Sequence, residues 1–120
     1  MGDVDMVQPN VRIDPRSPAE GIRILDIRGE ITGSAEEALF AAYSATGSNA
    51  RAIILNLSQV PSIDSLGAGL LITLLARVRK QSQRLLAYGL SEYCRRAFEL
   101  THLDEVVGLY ADEAEALGSF

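Results

Sequence analysis

The run Ala52-Ile53-Ile54-Leu55-Asn56-Leu57 restricts this chain more than any other stretch. Its apolar, mostly branched side chains lack the polar alternation of a strand with one wet face, so both faces of this strand must be covered. Such a strand belongs inside a sheet, between layers of helix. Shortly after it, Leu70, Leu71, Leu74, Leu75 and Val78 recur at three- and four-residue spacing on one stripe of a helix. That helix ends in Arg77, Arg79 and Lys80, which suit the negative end of a helix dipole. A buried strand running into an apolar helix is the pattern of an α/β fold.

The flanking segments read in the same terms. Ile22-Arg23-Ile24-Leu25-Asp26-Ile27-Arg28 alternates apolar and polar, as a strand with one buried face does, and pairs with a short edge strand at Val11-Arg12-Ile13. Pro9, Pro15 and Pro18 leave the rest of residues 1–20 extended or loose, with 1–10 a loose N-terminal segment. Ser34, with Glu36 and Glu37 behind it, reads as the N-cap of a helix that turn residues close at Thr46-Gly47-Ser48-Asn49. Leu85-Leu86-Ala87-Tyr88-Gly89 is a further buried strand, and Ser91 caps a helix whose Cys94, Ala97, Phe98 and Thr101 face inward. Residues 106–110 give a last strand and 112–117 a closing helix. The expected order is strand, strand, helix, strand, helix, strand, helix, strand, helix. It describes one α/β domain over residues 1–120, with a mixed sheet covered mainly by helices.

Composition narrows the function classes. A net charge of −5 argues against holding nucleic acid or an anionic membrane through summed charge. Cys94 and His102 are the single cysteine and single histidine, so the chain has no internal disulfide and no metal-binding cluster of the usual spacing. No metal or cofactor is expected, and the reducing cytoplasm is the expected compartment. The longest apolar run, over residues 68–76, is too short for the roughly 20 residues of a membrane span, and the acidic start is unlike an export leader.

The chemistry is expected at Pro61-Ser62-Ile63-Asp64-Ser65-Leu66-Gly67-Ala68-Gly69, between the buried strand and the apolar helix. The first turn of a helix has free N–H groups and a partial positive charge, so a serine at Ser65 can carry a phosphate there. The same serine, or Asp64, can equally be a helix cap, and Ser62, Glu30 and Thr32 can be solvated turn residues. A Ser65 nucleophile with His102 as base lacks the Gly-x-Ser-x-Gly elbow and an orienting partner. The helix face turned from the core offers Gly69, Ile72, Thr73 and Ala76 as a docking surface.

Four elements carry a family likeness: Asn56-Leu57-Ser58 at the end of the buried strand, Ile63-Asp64-Ser65-Leu66-Gly67-Ala68-Gly69-Leu70 at the start of the helix, Gly29-Glu30, and Gly89-Leu90-Ser91. In this order the chain resembles the STAS domains over roughly residues 11–117, whose best-known soluble members are bacterial anti-sigma factor antagonists. The resemblance implies a binding module without catalytic activity. Ser65, directly after the aspartate, would be phosphorylated by a partner that is both anti-sigma factor and serine kinase, with a serine phosphatase as a further partner. Glu30, Thr32, Ser62 and Asp64 in the loops, and Leu66, Gly67, Gly69, Ile72, Thr73 and Ala76 on the helix, would meet that partner. Leu66 stands where a second hydroxyl is frequent, Thr32 where an acidic or other polar residue is frequent, and His102 where glycine is common. The alternative within the same resemblance is a scaffold or accessory subunit of a signalling or lipid-transport complex that uses no phosphate.

Overall fold

Strands β1 (Arg12–Ala19), β2 (Ile22–Arg28), β3 (Ala52–Gln59), β4 (Arg84–Tyr88) and β5 (Gly108–Tyr110) form one sheet in the order β1-β2-β3-β4-β5. This computed structural model describes residues 11–46 and 49–120. β1 runs antiparallel to β2, and β2 through β5 are mutually parallel. Parallel neighbours need crossover connections, which α1 (Glu36–Ala45), α2 (Ser65–Lys80) and α3 (Glu92–Leu100) supply; α4 (Glu113–Leu117) closes the described chain. The observed order of strands and helices is the expected one. The loops that leave β2, β3 and β4 therefore gather at one end of the sheet, where α/β folds place their sites.

The alternation of side chains divides the core in two. Ile53, Leu55 and Leu57 of β3 face α1, α2 and α3 together with Leu25 and Ile27 of β2 and Leu85 and Ala87 of β4. Ile54 points the other way and joins Ile22, Ile24, Leu86 and Tyr88 beneath Ala116 of α4. Ile53, Ile54 and Leu55 are each 0% exposed, as a doubly covered strand requires. On α2, Leu71, Leu74 and Val78 are buried and Leu70 and Leu75 pack against them in part. Buried Gln83 accepts the Tyr43 hydroxyl at 2.7 Å and donates to the Ala50 carbonyl at 2.9 Å, which joins α1 to the start of β4.

Three local expectations change. β1 continues past Ile13 through Pro15 and Pro18, because an edge strand has a side on which a missing N–H costs no pairing, and its register shifts between Arg16 and Ala19. Ser34 does not cap α1: Thr32 caps a 3-10 turn at Gly33–Ala35, accepting the Ser34 N–H, and α1 starts after it. The last strand begins at Gly108 and not at 106, since Leu103–Glu105 form a 3-10 turn and Val106 is left exposed. Of the two candidate caps of α2, the structure selects Asp64 over Ser65. The expectations for residues 1–10 and for Gly47 and Ser48 fall outside the described residues.

His102 also gains a physical account. It follows the end of α3 in the left-handed region, with φ of 61°, where glycine has no steric penalty. Its Nδ1 lies 2.8 Å from a Glu105 carboxylate oxygen, and that hydrogen bond raises the imidazole pKa above its ordinary value.

Candidate functional site

The loop after β2 and the loop after β3 are laced together by their backbones. Gly29 N–H donates to the Gln59 carbonyl, Ile31 N–H to Ser62, and Asp64 N–H back to Ile31, each at 3.1 Å. Ile31 and Ile63 thereby form an isolated parallel bridge beyond the ends of their strands. The Ser62 hydroxyl donates to the Glu30 carboxylate at 2.9 Å, which adds a side-chain tie between the same two loops. From the third loop, the Ser91 hydroxyl caps α3 by accepting the Cys94 N–H and reaches the Pro61 carbonyl at 3.3 Å. Two segments that reasoning from sequence treats as separate turns thus form one platform.

The head of α2 stands on that platform. The Asp64 carboxylate accepts the Gly67 N–H at 2.7 Å, and the Asp64 carbonyl takes the Ala68 N–H at 2.8 Å. Capping is therefore done by Asp64, which leaves Ser65 as the first helical residue. Ser65 is exposed, and its hydroxyl takes no hydrogen bond among the described residues. Glycine at 67 is obligatory in this packing, because a Cβ there would overlap the backbone carbonyl of Ile31.

Leu66, Ile72, Gly69, Thr73 and Ala76 are exposed on the outer side of α2, with Leu66 and Ile72 at 69% and 46%. These fractions are high for large apolar side chains and make this side of the helix the apolar border of Ser65. Thr73 returns its hydroxyl to the Gly69 carbonyl at 3.1 Å, so it shows a methyl group outward. Leu66 also lies over the β2–α1 loop, where a Cβ on Gly33 would come within 3.1 Å of it. Thr32, half-buried, pairs its hydroxyl with Ser34 at 2.8 Å.

One neighbouring feature was not read from the sequence. Ser62 and Ile63 form one wall of a groove of about 400 Å³ whose other wall is α3, with Tyr93, Arg96 and Leu100. Tyr93 and Leu100 are 78% and 71% exposed. The available signal was that both lie off the stripe of Cys94 and Phe98, which are buried. The Cys94 thiol sits 3.3 Å from the Val60 carbonyl, and burial raises its pKa. Among the described residues no group of His, Cys, Asp and Glu is arranged to hold a metal ion. Among them, too, no helix is long and apolar enough to cross a membrane.

The model of the STAS domain family matches residues 17–116. The chain belongs to the STAS domain family. That match takes in both loops of the platform and all of α2, so the Asp64–Ser65 pair lies inside the STAS domain. No curated protein matches the chain. Solved structures do. One is an anti-sigma factor antagonist from Mycobacterium paratuberculosis, 24% identical, with a TM-score of 0.78 over 91% of this chain and 92% of that one. Another is the Bacillus cell fate determinant SpoIIAA in its phosphorylated form, 21% identical, with a TM-score of 0.70 over 89% and 97%. A third is a sulfate transporter family protein from Wolinella succinogenes, 21% identical, with a TM-score of 0.77 over 87% and 88%. At these identities the likeness is one of STAS fold.

Proposed function

We propose that this STAS domain is a phosphorylation-gated anti-sigma factor antagonist of the bacterial cytoplasm. With Ser65 unmodified it docks an anti-sigma factor that is also a serine kinase, and the sigma factor held by that partner is released. The observation that carries the reading is the exposed Ser65 hydroxyl at the first position of α2, free of capping duty and bordered by Leu66 and the outer face of the helix. The likeness of the fold to two proteins described as antagonists or as phosphorylated SpoIIAA supports it.

The chemistry is a phosphoryl transfer. The Ser65 oxygen attacks the γ-phosphorus of ATP, the bond to the β-phosphate oxygen breaks, ADP leaves, and the hydroxyl proton passes to a base on the kinase. The product adds about −1.5 to −2 charges beside the N–H groups of the first turn of α2, which tolerate it. The fold therefore persists while the docking face changes. A dianion trapped against a partner costs a few kcal/mol, and about 2.7 kcal/mol is a hundredfold in affinity. A serine phosphatase restores the binding form.

The test is a pull-down with Ser65→Ala and Ser65→Asp as baits, with the kinase reaction on the unmodified protein mapped by mass spectrometry. The reading expects a partner retained by Ser65→Ala and lost by Ser65→Asp, with phosphate on Ser65. Phosphate elsewhere, or equal retention by both baits, overturns it. The sulfate transporter family structure supports a second reading, an accessory STAS domain in a larger assembly that uses no phosphate. Capture of the same partner by both baits favours that one.

A further inference from the structure

The densest ionic cluster among the described residues lies on the opposite face of the sheet from α2. Arg16 on β1 holds Asp26 of β2 through Nε at 2.6 Å and through Nη2 at 3.3 Å. The same guanidinium forks onto Glu113, the first residue of α4, with both of its terminal nitrogens. The Tyr88 hydroxyl of β4 donates to the same Glu113 carboxylate at 3.0 Å, and Asn56 of β3 donates to Asp26 at 2.7 Å. Asp26, Asn56 and Tyr88 are register partners across three adjacent strands, so this row crosses the sheet beside the smaller core.

We propose that α4 is a releasable strap over that smaller core, latched to the sheet by Arg16. A helix of five residues is far below the roughly 12–15 that hold together alone in water. It places a single fully buried residue, Ala116, into the core it covers, with Leu117 half-buried beside it. Its own N-terminus is closed locally, Asp112 accepting the Glu115 N–H at 2.9 Å and Glu115 accepting the Ala111 N–H at 2.9 Å. The Glu113 carboxylate ties this small unit to the sheet through Arg16 and Tyr88, and just beyond the helix the Arg84 guanidinium of β4 lies over the Phe120 ring, 4.9 Å from its centroid. Opening the latch uncovers Ile24, Ile54 and Leu86 and leaves the face under α1, α2 and α3 untouched. Such opening is a local event with its own free energy, separate from unfolding of the domain. It is independent of the role of Ser65.

Native-state hydrogen exchange on the full chain tests this. In Arg16→Met the Ala116 and Gly118 amides, which bond to the Asp112 and Ala114 carbonyls, should exchange at least about tenfold faster, while the α2 amides change by less than about threefold. Binding of an apolar fluorescent dye should rise in parallel. Equal acceleration in α2 and α4, or none in α4, overturns the strap. Should Arg16→Met fail to fold, Glu113→Gln and the unmodified protein in about 1 M salt, which screens the partly exposed pair, should each speed exchange in α4 alone. Exchange in α4 that answers to neither overturns it too.

Discussion

The backbone carbonyl of Ile31 occupies the space that a Cβ on Gly67 would need. One loop thus sets its own chain against the first turn of α2, and a hydrogen atom is the largest side group that fits. Gly67→Ala should lower stability by about 1–3 kcal/mol, since the obstacle is backbone and cannot swing aside. Gly69, two residues further along the helix, has open space around it. Gly69→Ala should raise stability by about 0.5–1 kcal/mol through helix propensity. Urea denaturation of the two variants measures the contrast, and a matched effect on both would refute the packing given for Gly67.

The cap of α2 gives a second expectation. Asp64→Ala removes the acceptor of the Gly67 N–H and should cost about 1 kcal/mol, whereas Ser65→Ala should cost little because Ser65 does not cap. Thermal unfolding of both variants reads the difference. A larger loss at Ser65 would mean that its hydroxyl carries the helix.

Acid should weaken the Arg16 cluster. Burial pushes the Asp26 carboxyl up, but hydrogen bonds from Arg16 and Asn56 and the charge of Arg16 outweigh it and hold the pKa below the ordinary 3.8. The hydrogen bond from Arg16 likewise holds Glu113 below its ordinary 4.5, against the burial of that group and with help from Tyr88. Both folded values lie under the unfolded ones, so the stability they contribute is present above about pH 4.5 and is lost as pH falls through the folded values. The denaturation midpoint should therefore decline in acid, and the gap between the parent protein and Arg16→Met should close there. A gap that stays constant with pH would show that neither carboxylate depends on Arg16.

Ile72 separates docking from folding. It is 46% exposed on the outer face of α2, so Ile72→Asp should shift the unfolding free energy by no more than about 0.5 kcal/mol. In the proposed complex the same change should weaken capture of the partner at least about tenfold, a loss of about 1.4 kcal/mol. Calorimetric titration with the captured partner, beside a denaturation curve, reads both. Unchanged affinity would take this face out of the docking surface.

What the chain reveals by itself is the order of its elements and the serine at the head of its second helix. Those follow from short-range facts: the period of apolar residues, the unbroken run at 52–57, and turn residues between them. Tertiary structure alone decided that Pro15 and Pro18 sit in a strand, because β1 lies at the edge of the sheet, where a missing N–H on the open side leaves no ladder bond unmade. It alone made Gly67 indispensable, since the carbonyl that excludes a Cβ there belongs to Ile31 from another loop. The tie between Glu30 and Ser62, and the reach of Arg16 to Glu113 across most of the sequence, leave no local trace either. A periodic pattern records which side of a segment must leave water. Which distant group then meets it is settled only when the segments pack.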